Sequence, residues 1–198
     1  MINFWDERYQ QAAYIYGEQA NKFFATQLSK LPAGQLILPC EGEGRNAVFA
    51  AKNGWQVAAF DNSEMGKEKA LALANKNQVT INYDVNSAQT IDYPENSVDL
   101  VAFIYAHLPA EIRKEVHQKS VKWLKKGGKI ILEAFHPEQL KNTSGGPKDL
   151  DMLYTEEMIL SDFEFLEVEL IENESIVLNE GAYHQGNANV TRFVGVKV

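Results

Sequence analysis

Hydrophobic and polar positions follow two different patterns along the chain, and the change between them predicts the architecture. From Leu36 to about residue 135, short apolar runs alternate with amphipathic stretches of helical length. Helices packed on both faces of a mostly parallel sheet produce this pattern. From about residue 163 onward, apolar and polar residues alternate one by one, as in antiparallel strands. We therefore expect a three-layer α/β/α, doubly wound sheet with antiparallel strands closing one edge.

Start and stop signals divide the first part into elements. A helix is expected from Arg45 to the stop signal at Gly54. A second helix over residues 64–76 has Ser63 or Asn62 as its cap, because a short side-chain oxygen satisfies free amides of a first turn. Strands are expected over residues 36–38, 57–60, 79–83, 98–103 and 129–134.

The later elements are less regular. Pro109 opens a third helix that we expect to end at Gly127, with Lys125 and Lys126 near its negative end. Residues 138–151 are rich in Gly, Asn, Lys and Pro, which favours a functional loop. Antiparallel strands are expected over residues 163–171 and 189–198, around a middle run over residues 175–178.

Composition narrows the class of protein. A chain of 198 residues with 45% hydrophobic residues is long enough for one well-cored domain. A net charge of −8 makes nucleic acid an unfavourable partner, and a single cysteine excludes a disulfide scaffold. The first residues lack the basic start and apolar run of a signal peptide, and no apolar run has the length of a membrane span. We expect a cytoplasmic protein without membrane contact.

The strongest local signal is a strand that runs into a glycine-containing turn and then a helix. The sequence Pro-Cys-Glu-Gly-Glu-Gly-Arg-Asn follows the first strand at residues 39–46. Gly42 and Gly44 let the backbone approach a ligand closely, and free amides at the helix start are expected to face that ligand. An ordinary tight turn between strand and helix is the alternative interpretation.

A carboxylate at the end of the second strand strengthens the case for a nucleoside site. Nucleotide-binding α/β proteins place an acidic residue there on the ribose hydroxyls, and Asp61 occupies this place. A helix cap is the alternative for Asp61, although Asn62 and Ser63 can supply that function. Glu41 and Glu43 would repel a diphosphate, so a neutral or cationic nucleoside fits the loop better. We also expect Asp61 to contribute little to stability.

Taken in order, these motifs resemble those of class I S-adenosylmethionine-dependent methyltransferases. The resemblance covers essentially the whole chain and rests on residues 39–46, Asp61, Asp84-Val85, residues 98–101 and residues 124–129. The tellurite-resistance-like subgroup is suggested by Trp5-Asp6-Glu7-Arg8-Tyr9, residues 135–140 and residues 145–148. The resemblance implies a Rossmann-like, seven-stranded sheet with an antiparallel last strand, and S-adenosylmethionine as cofactor.

The resemblance also implies a set of cofactor-binding residues. It places the Asp84 carboxylate on the adenine amino group and the Val85 amide on a ring nitrogen. Leu38 stands where the family usually has an acid, and Cys40 where its first glycine usually stands; we expect Glu41 to reach the cofactor ammonium or ribose instead. The full expected set is Tyr9, Cys40, Glu41, Gly42, Gly44, Asn46, Asp61, Asn62, Asp84, Val85 and Ile104.

The acceptor side is expected from residues near the carboxyl ends of later strands. His107, which follows the fourth strand with Tyr105, is a candidate general base, or else a polar residue before a helix. Tyr154 and His184 are expected to roof the substrate side. Trp5 and Tyr9 form either a lid over the cofactor or part of the core.

Three histidines and a row of lysines carry no pattern that indicates chemistry. His107, His136 and His184 lack ligand spacing on one element, so no metal site is expected. The lysines of the third helix and its end are interpreted as a solvated face; they are Lys119, Lys122, Lys125, Lys126 and Lys129.

The predicted function is methyl transfer from S-adenosylmethionine to a small-molecule nucleophile, which is a thiol, a chalcogen oxyanion or an amine. A non-catalytic S-adenosylmethionine-binding module and a nucleotide-dependent oxidoreductase are the alternatives. We expect one domain over residues 1–198, as a monomer or weak homodimer. Its parts are an N-terminal helical segment over residues 1–30 that forms a lid, a cofactor-binding half over residues 35–135, and a substrate side over residues 136–198.

Overall fold

A seven-stranded sheet forms the centre of the computed structural model, which describes residues 4–198. The strands are β1 Gln35–Pro39, β2 Gln56–Asp61, β3 Asn82–Val85, β4 Val98–Ile104, β5 Leu124–Phe135, β6 Leu166–Glu180 and β7 His184–Lys197. Their order in the sheet is β3-β2-β1-β4-β5-β7-β6. The strands β1 to β5 pair in parallel, and β7 pairs antiparallel with both β5 and β6. The predicted Rossmann-like fold class is therefore confirmed.

Helices cover both faces of this sheet. They are α1 Phe4–Tyr9, α2 Lys22–Leu28, α3 Arg45–Lys52, α4 Glu64–Lys76, α5 Ala110–Trp123 and α6 Glu156–Asp162, with 3₁₀ turns at Pro137–Lys141 and Leu150–Met152. The Ser63 side chain caps α4 by accepting from the Gly66 amide, as predicted. Within the predicted N-terminal segment, residues 1–3 lie outside the described residues. No helix in the described part of the chain is both long and apolar enough to cross a bilayer.

Two apolar clusters lie on opposite faces of the sheet, and β1 contributes to both. Leu36 and Leu38 pack into the cluster that includes α2, α3 and α4, whereas Ile37 packs into the cluster below α5 and α6. This alternation is the period of two that a strand imposes on its side chains. Leu38 is completely buried, so the position that is usually acidic in the resembled family serves the core here.

The predicted third strand and third helix have different boundaries. The strand over residues 79–83 was placed too early, because the Val79 amide still donates to Ala74 at the end of α4 and Gln78 adopts a left-handed φ of 59°. The helix predicted to reach Gly127 ends at Trp123. Leu124 already pairs with Val98 of β4, so the chain is drawn into the sheet there.

The C-terminal part is also more continuous than predicted. One unbroken strand, β6, replaces the separate runs expected over residues 163–171 and 175–178. Its ladder with β7 extends from Leu166 opposite Lys197 to Glu180 opposite His184. His184 therefore begins a strand, where a loop position was expected, and its backbone is fixed by pairing.

Candidate functional site

A cavity of about 690 Å³ opens at the carboxyl ends of the parallel strands, where open α/β sheets bind their ligands. The predicted site residues that line it are Tyr9, Cys40, Glu41, Gly42, Asn46, Asp61, Asn62, Ile104, Tyr105, His107 and His184. Gly44, Asp84, Val85 and Tyr154 are not among its lining residues. Most of the predicted side chains are thus brought together at one place.

The turn after β1 depends on backbone conformations that favour glycine. Gly42 and Gly44 have φ values of 59° and 86°, and Cys40 adopts a left-handed φ of 54°. A Cβ at Gly42 would lie 2.5 Å from the Tyr9 hydroxyl oxygen. A Cβ at Gly44 would lie 2.5 Å from the Cβ of Ala70 in α4. Gly42 therefore lets Tyr9 close over the turn, while Gly44 lets α4 pack against it without lining the cavity.

Glu41 is bound to the first turn of α3. Its carboxylate accepts hydrogen bonds from the Asn46 and Ala47 amides, each at 2.8 Å, and from the Asn46 side-chain amide at 3.2 Å. Burial raises the pKa of Glu41 to about 7. The Asn46 and Ala47 amides at the start of α3 are therefore not free to face the ligand as expected, because Glu41 binds them. Its own oxygens are committed to the helix, which argues against the role of Glu41 at the cofactor ammonium or ribose.

Asp61 lines the cavity and also supports the turn beside it. Its carboxylate accepts from the Gly42 amide at 3.0 Å and from the Ser63 amide at 3.1 Å, and the residue is only 6% exposed. Burial raises the pKa of Asp61 to about 6, although these amides oppose that shift. The carboxylate thus supports the turn, which argues against the expectation that Asp61 contributes little to stability.

Glu43 does not present a free charge to a ligand. One of its carboxylate oxygens accepts from the Ile15 amide at 2.9 Å, and the other lies 2.5 Å from the Lys69 ammonium of α4. The repulsion of a diphosphate expected from Glu41 and Glu43 therefore loses its basis. Glu43 instead ties the segment before α2 to the turn after β1.

The loop after β3 lines the cavity in place of the strand end itself. Asp84 is exposed, and it does not line the cavity; neither does Val85. The lining comes instead from the next four residues, Asn86, Ser87, Ala88 and Gln89. The Asn86 amide donates to the Asp61 carbonyl at 2.9 Å, which places this loop directly beside the end of β2.

His107 is engaged on both ring nitrogens. Its Nδ1 lies 2.6 Å from the Met152 carbonyl oxygen, and its Nε2 accepts from the Phe135 amide at 3.2 Å. A neutral ring with its proton on Nδ1 satisfies both partners. Burial lowers the pKa of His107 to about 4. No lone pair remains for a substrate proton, so the geometry contradicts the predicted general base and supports the polar structural role.

The two predicted tyrosines of this side differ in role. Tyr105 has a left-handed φ of 55° and stacks on Phe135 with 4.7 Å between ring centroids. Burial and the Glu133 carboxylate raise its pKa well above the usual value, so Tyr105 stays protonated. Tyr154 is completely buried and does not roof the cavity. Its hydroxyl accepts from the Leu108 amide and donates to the Ala106 carbonyl.

His184 combines a place on the cavity wall with an ionic partner. Its Nδ1 lies 3.4 Å from a carboxylate oxygen of Glu180, and the same oxygen lies 2.8 Å from the Arg45 guanidinium. Its ring packs against Tyr16 and Tyr105 at centroid distances of 4.5 and 4.7 Å. Burial lowers its pKa, although Glu180 opposes the shift. Neutral His184 therefore keeps an Nε2 lone pair at neutral pH.

The N-terminal helix lies over the turn after β1. Its aromatic residues combine the two predicted roles, because they are packed and also border the cavity. Tyr9 is 4% exposed yet lines the cavity, and Trp5 stacks on it at 5.7 Å. Asp6 binds the start of α4, accepting from the Ser63 hydroxyl at 2.5 Å and the Met65 amide at 3.2 Å.

Several functional positions escaped the sequence analysis. Arg8, Tyr16 and Arg45 line the cavity, and Glu180 joins them by binding Arg45; contacts such as Arg8 over the Tyr183 ring connect distant segments, for which the sequence carried no local signal. Among residues 4–198, no group of three or more His, Cys, Asp or Glu side chains is arranged to hold a metal ion.

Part of the chain matches a known protein family. Residues 39–128 match a family described as a methyltransferase domain. No curated protein is significantly similar in sequence. The match spans the cofactor turn, Asp61 and the loop after β3.

Solved structures share the fold over nearly the whole chain. One is described by the conversion of a disulfide bond into a thioacetal group during echinomycin biosynthesis (TM-score 0.76, 13% identity, 97% of this chain and 90% of that one). A second is TehB from Haemophilus influenzae (TM-score 0.72, 14% identity, 98% of this chain and 66% of that one). A third is a SAM-dependent methyltransferase from Methanosarcina mazei (TM-score 0.68, 12% identity, 91% of this chain and 99% of that one).

The matched segment and the fold define the class of protein. At such low identities the solved structures establish the fold, whereas the match over residues 39–128 carries the activity. The methyltransferase domain over residues 39–128 and the shared fold support an S-adenosylmethionine-dependent methyltransferase, with S-adenosylmethionine as its cofactor.

Proposed function

We propose that this methyltransferase acts on a small-molecule nucleophile held in the 690 Å³ cavity beside His184. The observation that carries the proposal is that one cavity is lined by both Asp61 and His184. Its volume lies within the usual range of roughly 300–1,000 Å³ for small-ligand sites. A cavity of this size suits a nucleoside cofactor together with a small acceptor.

The residues of the first half fit the cofactor. Asp61 offers a buried carboxylate for the two ribose hydroxyls, and Gly42 lets the backbone and Tyr9 enclose the ligand. The loop of residues 86–89 lies beside Asp61, where the base attached to that ribose would extend. Cys40, Asn62 and Ile104 complete this side, while Glu41, Gly44 and Asn46 act by shaping the turn.

The residues of the second half fit an acceptor that loses a proton. When bound, S-adenosylmethionine would supply an activated methyl group, which passes to an aligned nucleophile as the carbon–sulfur bond breaks and S-adenosylhomocysteine leaves. The Nε2 atom of His184 accepts the proton of that nucleophile, and Glu180 holds the ring through Nδ1. Tyr105 and Phe135 form an apolar wall that limits water. Positioning supplies the rest of the catalysis.

The acceptor classes remain those predicted from the sequence. A thiol or a protonated amine carries a proton for His184, whereas a chalcogen oxyanion that is already deprotonated does not need this base. The similarity in fold to TehB supports including tellurite and selenite among the acceptors tested. We also propose that residues 4–17, with α1 at their start, act as the lid of a single domain.

A binding and turnover experiment tests the proposal. Calorimetry compares S-adenosylmethionine, S-adenosylhomocysteine and NAD, and release of S-adenosylhomocysteine is measured with thiols, selenite, tellurite and amines. We expect the two adenosyl compounds to bind and one acceptor class to give turnover. Binding without turnover across the panel would favour the non-catalytic module. Tight binding of NAD alone would overturn the proposal.

A further inference from the structure

Lys119 lies on α5 and does not line the cavity, yet its ammonium group is bound to the loop that does. The Nζ atom donates to the carbonyl oxygens of Ala88, Gln89 and Ile91 at 3.0, 2.9 and 2.7 Å. An ammonium group has three protons, so these bonds use every donor that Lys119 has. The sequence-based view of Lys119 as part of a solvated helix face is therefore wrong.

The loop that Lys119 holds is also restrained by its own side chains. Asn86, Ser87 and Thr90 bond to one another, and the Ala88 and Ile91 side chains are buried in the cluster below α5 and α6. Residues 86–91 belong to no helix or strand, and their internal backbone bonds are those of a turn, such as Ile91 amide to Ser87 carbonyl at 3.0 Å. Carbonyl oxygens in such a turn are otherwise left to water. Three of them converge on one cation here. Lys119 therefore adds a restraint on the carbonyl oxygens of Ala88, Gln89 and Ile91, which the side-chain bonds within the loop do not hold.

The helix α5 also fixes the point where this loop ends. The Trp123 indole N–H donates to the Asp92 carboxylate at 2.8 Å, and the Lys119 ammonium lies 5.9 Å from the centre of that indole ring. The start of the loop is held by the Asn86 amide bond to the Asp61 carbonyl. The loop over residues 86–91 is thus anchored to β2 at its start and to α5 at its end.

We propose that Lys119 is a positioning residue for recognition of the cofactor base. This inference rests on the proposed function, which places the base against residues 86–89. With Lys119 in place, the backbone and side chains of Ala88 and Gln89 keep one arrangement toward the base edge. Without Lys119, the loop loses that arrangement. Both the affinity for the adenosyl cofactor and the discrimination between bases then decrease.

The test uses Lys119→Met in the full chain, which keeps the apolar stem and removes the ammonium group. We expect the Kd for S-adenosylhomocysteine to rise about tenfold, with kcat at saturating S-adenosylmethionine within about twofold of the wild type. The preference for S-adenosylhomocysteine over S-inosylhomocysteine, which differs only at the base edge, is expected to fall by a similar factor. A structural defect alone would weaken both analogues equally.

Lys114→Met is the matched control. Lys114 lies on the same helix, is exposed and donates to the Ser161 hydroxyl at 3.1 Å rather than to the loop, so its loss should change neither Kd. Lys119→Arg keeps the charge but replaces the compact ammonium with a planar fork, and we expect it to restore part of the preference. It also provides a folded variant if Lys119→Met proves unstable.

Each outcome has a definite meaning. If the wild type binds neither analogue, the proposed function fails and this inference fails with it. If the wild type binds and Lys119→Met keeps both affinity and preference, only the role of Lys119 is refuted. An equal loss for both analogues, with a lower Tm, likewise refutes positioning in favour of general stability.

Discussion

The two halves of the cavity are built in different ways. The cofactor half is centred on the turn after β1 and the end of β2, where the buried acids Glu41 and Asp61 are bound by backbone amides of the neighbouring turns. The acceptor half comes from rings of distant segments, with His184 packed against Tyr16 and Tyr105. The difference teaches that neighbouring residues can specify the turn proposed to bind the cofactor, whereas the wall around His184 depends on contacts between distant segments.

The two halves also respond to acid in opposite ways. The pKa values of Glu41 and Asp61 are raised to about 7 and about 6, so the folded state holds these protons more tightly than the unfolded chain. Their contribution to stability is therefore lost as pH rises through those values. The pKa of His107 is lowered to about 4, so its contribution is present above 6.5 and lost as pH falls toward 4.

The largest expected effect tests how strongly the cofactor half depends on close packing. Gly44→Ala would force a Cβ against Ala70 at a φ of 86°, and we expect a loss of about 3–4 kcal/mol in the free energy of unfolding. Gly127→Ala is the matched control, because its φ is 80° and no atom lies within 4 Å. It should cost about 1–2 kcal/mol in urea denaturation. Equal losses would show that backbone strain alone acts at Gly44.

The next effect separates chemistry from cofactor binding. His184→Gln removes the proton acceptor, so kcat for a protonated acceptor should fall about a hundredfold, while the Kd for S-adenosylhomocysteine changes less than about threefold. His136→Gln serves as control, since His136 caps a 3₁₀ turn and does not line the cavity. An unchanged kcat for His184→Gln with a thiol or amine would remove His184 from the mechanism.

A smaller effect concerns the charge of the cofactor half. Protonation of Asp61 below its pKa of about 6 removes an acceptor for the ribose hydroxyls, so S-adenosylhomocysteine should bind more weakly as pH falls from 7 to 5. Asp61→Asn should raise the Kd about tenfold at pH 7.5 and flatten this dependence. Calorimetry at several pH values measures both. The same pH slope in Asp61→Asn would assign the titration to another group.

The smallest effect concerns the unusual residue of the turn. Cys40 holds a φ of 54°, which costs a side-chain-bearing residue about 1–2 kcal/mol, and glycine would relieve that strain while losing chain entropy of about 0.5–1 kcal/mol. Cys40→Gly should therefore raise the free energy of unfolding by no more than about 1 kcal/mol. Cys40→Ala, which keeps the strain and lacks the thiol, is the control. A higher stability of the alanine variant would contradict this account.

The same division explains which features the sequence predicted. The boundaries of α4, the strands β1 and β2 and the place of Asp61 follow from neighbouring residues, so pattern analysis found them. His107 was misassigned because its partners, Met152 and Phe135, lie 45 and 28 positions away. The sequence likewise showed that Glu41 is acidic. It could not show that the carboxylate binds α3, because that depends on the conformation of the folded turn.

The contacts of the hairpin β6–β7 have a consequence for the order in which the enzyme is made. The Tyr183 amide donates to the Ile15 carbonyl, and Glu180 binds Arg45 across 135 positions. Domains are synthesised from the amino end, and contacts of such separation form late. On the ribosome, the nascent chain therefore holds a complete cofactor turn before it has an acceptor wall. A chain stalled ahead of β7 would contain the turn proposed to bind the cofactor but would lack the wall around His184.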